Sequence, residues 1–225
     1  MSLAIVIPVF NEERNIKKVI KDWDKAVKKN YKKKYKFIVI NDGSTDNTHQ
    51  EVKSLNKKKI IYRKERNSGQ GNTCYKGYKL AIKLRFKFIL QIDSDDQCDP
   101  IYFKKFIKLI KKNNVVFGNR VSREDGFIRI IVSRILSLLI YLRTFVFIKD
   151  ANVPYRLIKK ETLQNVINKI PKKIELKNCY LSYLLKKNHE IKWVNINFRK
   201  RYYGETKYKF YHLLKLVSNL LYYIK

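Results

Sequence analysis

Four carboxylates fall within seven residues in the run Asp93-Ser94-Asp95-Asp96-Gln97-Cys98-Asp99, directly after the apolar stretch Phe86 to Ile92. Crowded negative charges repel unless a cation joins them. Hard oxygen donors in a short turn suit Mg2+ or Mn2+, which can also bridge a diphosphate. A plainer reading is helix capping, since Asp99 before Pro100 fits the start of a helix. Capping accounts for Asp99 but leaves Asp93 and Asp95, so this pair reads as a metal–diphosphate site. Two other polar loops carry chemistry. In Asn41 to Thr48 (NDGSTDNT), Ser44, Thr45 and Asp46 are ordinary turn and cap residues, whereas Asp42 is left to accept hydrogen bonds from a base or ribose. Asn67 to Gly71 (NSGQG) precedes a helix and would turn backbone amides toward phosphate.

Such loops need a rigid scaffold, and the first half of the chain supplies its pattern. Leu3 to Phe10 reads as a buried strand, followed by a helix that starts at Asn11, Glu12 and Glu13 and runs to about Lys29. Further strands are expected at Lys36 to Ile40, Ile60 to Arg63, Phe86 to Ile92 and Val115 to Gly118, with helices near 71–84 and 100–112. Strand–helix alternation at this spacing predicts an α/β fold with a mostly parallel sheet covered by helices on both faces. Ligands collect beyond the carboxyl ends of such strands. Of the seven glycines, Gly43, Gly69, Gly71, Gly118 and Gly204 lie just after a strand or in a polar loop.

Lysine and arginine exceed the acids by 51 to 19, a formal net charge of +32, which draws anions of any kind. Lysine outnumbers arginine 39 to 12, so part of the excess reads as compositional drift on a solvated surface. A nucleic-acid-binding module would match this charge and the 16 tyrosines. No recognised binding motif accompanies them, and an acidic cluster occupies the expected ligand edge, so nucleic acid is not expected as a partner. Cys74, Cys98 and Cys179 lack metal-ligand spacing and read as buried thiols in a reducing compartment. The first residues do not read as a signal peptide, and no apolar stretch is long enough to span a bilayer. A cytoplasmic, peripheral location follows.

IPVFNEERNI, VINDGSTDNT, NSGQGN, QIDSDDQCDP and VFGNR, in this order and spacing, resemble glycosyltransferase family 2. The later segments DANVPYRLIKK (Asp150 to Lys160) and FRKRYYGETKY (Phe198 to Tyr208) are similar to its dolichol-phosphate mannose synthase and polyprenyl-phosphate branch. The resemblance implies a single GT-A domain over residues 1–208 and inverting, metal-dependent transfer from a UDP- or GDP-sugar. By position it places Pro8, Phe10, Glu12 and Asp42 at the nucleotide, with Ser94. Asp93, Asp95 and Gln97 fall at the metal and diphosphate, and Arg120 at the donor phosphate. Arg201 and Lys207 match an element that closes over phosphates, and Asp95 is the usual direct metal ligand. The chain departs from the pattern at Gln70 (usually Lys), Asn41 (often Asp), Thr206 (usually Ser), Trp193 and Asn195.

Two acceptors remain open. A polyprenyl phosphate is already anionic and needs no strong base. A sugar hydroxyl on a glycan needs one, and Glu175 is the candidate, against its plainer reading as a solvent-facing helical glutamate. Phe127 to Ile148 is apolar on most sides, with a polar stripe of Arg129, Ser133, Ser137 and Thr144. It is too apolar for solvent and too often interrupted by arginine to span, so it reads as an amphipathic element lying on an anionic membrane surface. A homo-oligomer interface is the alternative. Residues 209–225 are expected to add an amphipathic helix with Phe210, Leu213, Leu214, Val217, Leu220, Leu221 and Ile224 on one face.

Overall fold

The structure, a computed structural model, describes residues 2–55, 57–123, 127–200 and 210–224. Its strands are β1 (Leu3–Val9), β2 (Tyr35–Asn41), β3 (Ile60–Lys64), β4 (Phe88–Gln91), β5 (Val115–Arg123), β6 (Arg156–Lys159) and β7 (Ile191–Phe198). The helices are α1 (Ile16–Asn30), α2 (Thr48–Lys53), α3 (Gln70–Lys83), α4 (Phe103–Ile110), α5 (Phe127–Thr144), α6 (Lys160–Ile167), α7 (Lys177–Asn188) and α8 (Phe210–Tyr223). A single seven-stranded sheet has the order β3-β2-β1-β4-β6-β5-β7. β6 runs antiparallel to β4 and β5, and the other pairs are parallel.

β1 is buried at every position. A strand whose alternating side chains are all buried has both faces covered, as its unbroken apolar run predicts. On one side Trp23 of α1 meets Phe103 of α4 and Tyr155 edge-on, at 5.9 and 5.3 Å, and Phe106 stacks on Tyr155 at 4.2 Å. On β1 and β2 lies α3, and Gly77 sets its approach, because a Cβ there would come within 2.4 Å of Val6. The three cysteines are buried and free, as expected.

The expected strands and helices of the first half are present within a few residues. β5 runs past Gly118 to Arg123, so Arg120 stands on a strand. The order places β1, β2, β4 and β5 with their carboxyl ends on one edge. Asp150, which precedes the antiparallel β6, reaches that same edge from the opposite direction.

Over residues 133–144 of α5, apolar side chains lie on the exposed face as well as on the buried one. Ser137 is buried, Ser133 is half-buried, and Leu136 and Ile140 are buried between them. Ile135, Leu138 and Leu142 face outward, and beyond the helix Phe145 and Phe147 are 82% and 57% exposed. Phe145 itself ends the helix in the left-handed region at φ +57. Along α8 the buried row is Leu216, Leu220 and Ile224. Val217 and Leu221, expected on the same apolar face, are half-buried, and residues 210–214 contribute no described side chains. α8 packs against α5. Among the described residues no helix is long and apolar enough to cross a membrane.

Candidate active site

The loops after β1 and β2 are sewn together. Asn11, at φ +52, donates its backbone N–H to Ser44 Oγ at 3.0 Å and accepts from Thr45 N at 2.9 Å. Glu12 N donates to Thr48 Oγ1 at 2.8 Å, Glu13 N to Asp46 Oδ2 at 3.1 Å, and Asn47 N to Glu13 Oε2 at 2.9 Å. Ser44, Thr45 and Asp46 therefore do structural work, as the turn chemistry suggests. Asn41 belongs to the same device, holding Ser44 N and the Tyr62 hydroxyl, each at 2.8 Å.

Among the residues expected at the nucleotide, Phe10 fits most directly: its ring is 45% exposed at the carboxyl end of β1. Pro8 is buried within the strand opposite Ile40. Glu12 is buried and accepts from Asn15 Nδ2 at 2.6 Å, so its carboxylate helps start α1. Asp42 differs from the expectation that it is left for a ligand. Its oxygens accept from Ser68 N at 2.8 Å and Gly69 N at 2.9 Å. It thus satisfies amides at the start of α3 and ties the NSGQG loop to the end of β2. Those amides face a protein carboxylate, which removes them from the phosphate role expected of the loop.

The acidic turn lies next to this junction. Asp93 is half-buried and accepts from Gln70 Nε2 at 2.8 Å, while Asp95 Oδ1 accepts from Gln97 N at 3.2 Å. Burial and then the charge of Asp95 push the Asp93 carboxyl up to about 7, against the pull of Gln70, Arg120 and Arg156. A carboxyl raised by burial and by a neighbouring carboxylate marks a place that favours a positive charge. Ser94 is buried between them in the turn. Gln97, expected at the metal, is buried and donates its amide nitrogen to Arg199 O at 3.1 Å. Among the described residues no three acidic, His or Cys side chains gather as a metal cage. Asp93 and Asp95 are a donor set that would fit Mg2+ or Mn2+ together with water and phosphate oxygens.

Arg120, expected at the donor phosphate, forms a two-pronged pair with Asp150, Nε to Oδ2 at 2.6 Å and Nη2 to Oδ1 at 2.7 Å, with 9% of its side chain exposed. Ser133 of α5 donates to the same Asp150 at 3.0 Å. Burial alone would raise the Asp150 carboxyl, but the Arg120 charge and hydrogen bonds prevail and hold it below the usual range. A second arginine, Arg156, is fully buried and donates to the carbonyls of Val153, Asn178 and Ala151. The departures at Trp193 and Asn195 pack here. Trp193 lies edge-on to Phe117 at 5.8 Å, and Asn195 accepts from Asn119 across the strands at 2.9 Å.

Glu175 is exposed, on the loop before α7 rather than on a helix. Its carbonyl presses on α3, so a Cβ at Gly71 would meet it at 2.5 Å, one residue from Gln70. Lys177 builds that loop by donating to the carbonyls of Pro171, Lys172 and Ile174 at 3.0, 2.7 and 2.8 Å. No sequence signal marks Lys177 for this. Arg201 and Lys207 lie outside the described residues. A cleft of about 650 Å3 that includes Tyr31, Lys32, Lys87 and Phe88 opens at the opposite, amino-terminal end of β4 and takes no part in this arrangement.

A parallel-sheet α/β domain with an acidic turn at its carboxyl edge has the GT-A architecture. The chain belongs to glycosyl transferase family 2, whose sequence model matches residues 4–173, and it is accordingly a glycosyltransferase. An uncharacterized protein of Methanocaldococcus jannaschii is 35% identical over 179 residues, covering 73% of this chain and 74% of that one. An undecaprenyl-phosphate 4-deoxy-4-formamido-L-arabinose transferase of Serratia proteamaculans is 22% identical, over 97% of this chain and 66% of its own length. Among solved structures, glucosyl-3-phosphoglycerate synthase from Mycobacterium tuberculosis, in complex with Mn2+, UDP and phosphoglyceric acid, superposes with a TM-score of 0.73 at 16% identity. That comparison covers 99% of this chain and 78% of the other, and at this identity it speaks for the fold.

Proposed function

We propose that this glycosyltransferase moves one sugar from a nucleotide-diphosphate sugar to a polyprenyl phosphate, with inversion, at the cytosolic face of a membrane. The observation that carries the reading is the direct bond between α5 and the site. Ser133, on the helix that turns Leu138 and Leu142 outward, holds Asp150, and Asp150 holds Arg120. A helix apolar on its outside is thereby fastened to the edge where the acidic turn lies. The Serratia relative, named for an undecaprenyl-phosphate acceptor, supports the same class.

In this reading Asp93 and Asp95 hold Mg2+ or Mn2+, and Gln70 fixes the orientation of Asp93. Bound there, the cation neutralises charge growing on the departing diphosphate. The chain's own part is to hold the donor between Phe10 and the acidic turn, and to bring Arg201 and Lys207 to the phosphates. Asp42 and Glu12 shape the nucleotide pocket through the loops they fasten, and Arg120 lends positive field from its pair with Asp150. The GT-A domain spans 1–208, and residues 209–225 extend the membrane side through α8. Anionic lipid headgroups attract the surrounding lysines by roughly 1 kcal/mol each near the surface.

One observation favours the second acceptor, a glycan hydroxyl: exposed Glu175 lies on a loop whose backbone packs against Gly71, next to Gln70. Incubation with membranes and labelled UDP- and GDP-sugars separates the two. The lipid-phosphate reading expects label in a lipid-extractable, acid-labile product, with Glu175→Gln retaining turnover. Water-soluble products alone, lost in Glu175→Gln with donor binding kept, would overturn it in favour of the hydroxyl acceptor.

A further inference from the structure

In the acidic turn Asp93 accepts from the Gln70 amide and Asp95 from the Gln97 N–H. Asp96 and Asp99 take cations brought from distant parts of the chain. Lys18 of α1 reaches Asp96 Oδ2 at 2.5 Å. Arg199, just past β7, places Nη1 3.6 Å from Asp96 Oδ1 and grips Asp99 with both prongs, Nε to Oδ2 at 3.0 Å and Nη2 to Oδ1 at 2.7 Å. Its backbone is clipped to the same turn, for Arg199 N donates to Gln97 O at 3.2 Å and Arg199 O accepts from Gln97 Nε2 at 3.1 Å. One residue thus binds Asp96, Gln97 and Asp99 together, across a sequence separation of about a hundred residues.

Asp96 has φ +63, a left-handed conformation that disfavours a residue with a Cβ. Such a conformation persists when its surroundings over-determine it, and here two cations on two elements hold its carboxylate. Asp95 and Gln97 flank it, so releasing Asp96 would rotate the peptide planes on which Asp95 is carried. The Arg199 side chain is 36% exposed. Ion pairs this accessible contribute little to global stability, so the consequence of the network lies in geometry.

We propose that Arg199 is a positioning residue for the acidic turn: it sets the presentation of Asp93 and Asp95 to a divalent cation and the donor diphosphate. The inference rests on the reading of those two carboxylates as the metal–diphosphate site. Lys18 and Asp99 are its partners in that role.

The test measures Mn2+ binding in the presence of UDP or GDP by water-proton relaxation, beside thermal melting without ligand and the split of donor KM from kcat. Loss of supporting contacts around a metal typically costs about 10- to 100-fold in affinity, and Arg199→Ala is expected to weaken Mn2+–nucleotide binding by that order. Its donor KM should rise more than kcat falls, and its melting should stay close to that of the unaltered chain. Arg199→Lys should recover part of the affinity, since an ammonium supplies charge without the two-pronged grip. Asp99→Asn should repeat the Arg199→Ala loss in milder form and provides the reading if Arg199→Ala fails to fold. Lys59→Ala, which removes a remote ion pair with Asp24, should leave Mn2+–nucleotide binding unchanged. Unchanged binding in folded Arg199→Ala or in Asp99→Asn would overturn the proposal while leaving the site reading intact. Failure of the unaltered chain to bind Mn2+ with any nucleotide would overturn both.

Discussion

Asp150 and Arg120 meet with little solvent, and each would be costly alone. Removing one partner of a buried pair typically costs about 3–5 kcal/mol, because the other charge is stranded. Asp150→Asn should therefore destabilise the protein at neutral pH. The pH dependence has a definite sign. The folded Asp150 carboxyl lies below its ordinary value, so its contribution is present above the unfolded range near about 4 and is lost as pH falls through the folded value. Urea unfolding at several pH values should show a gap between wild type and Asp150→Asn that is widest above about pH 5 and narrows below about pH 4. A gap independent of pH would contradict the pair. The Arg120–Asp150 partnership could not be seen in the sequence: 30 residues separate the two, and a buried arginine beside a candidate phosphate site reads equally well as a ligand.

At the scale of elements, the scaffold was legible and the tethers were not. The apolar runs Leu3 to Phe10 and Lys36 to Ile40 lack polar alternation and so declare a doubly covered sheet, and β1 and β2 follow. β6 is only four residues long and antiparallel, too short for periodicity to mark. Asp93 and Asp95 stand out in the sequence because capping does not explain them. The bonds of Asp42 are not legible because its donors, Ser68 and Gly69, lie 26 and 27 residues away. The same junction explains Gly71, whose missing Cβ makes room for the Glu175 carbonyl. Gly71→Ala forces the 171–176 loop away from α3 and should cost about 1–3 kcal/mol by chemical denaturation, as overpacked sites do. A change within about 0.5 kcal/mol would mean that the loop yields freely there.

For the whole molecule, the proposed membrane side rests on α5. Of the polar stripe seen in the sequence, Ser137 is buried, Ser133 bonds Asp150, and Thr144 Oγ1 donates to Ile140 O at 2.7 Å, while the Arg129 side chain lies outside the described residues. The apolar side is left outward, at Leu138 and Leu142, 53% and 63% exposed. Leu138→Glu with Leu142→Glu should abolish flotation with anionic vesicles at low salt and spare donor binding. Wild type that stays unbound would assign this face to a protein partner or a second copy of the chain. The central claim is donor binding at the acidic turn, and a calorimetric titration of UDP- and GDP-sugars with and without Mn2+, on wild type and Asp95→Asn, tests it most directly. The account predicts that at least one nucleotide sugar binds wild type only when Mn2+ is present. It also predicts that Asp95→Asn melts near wild type and loses this binding. Binding that persists in chelator, or undiminished in Asp95→Asn, would contradict it.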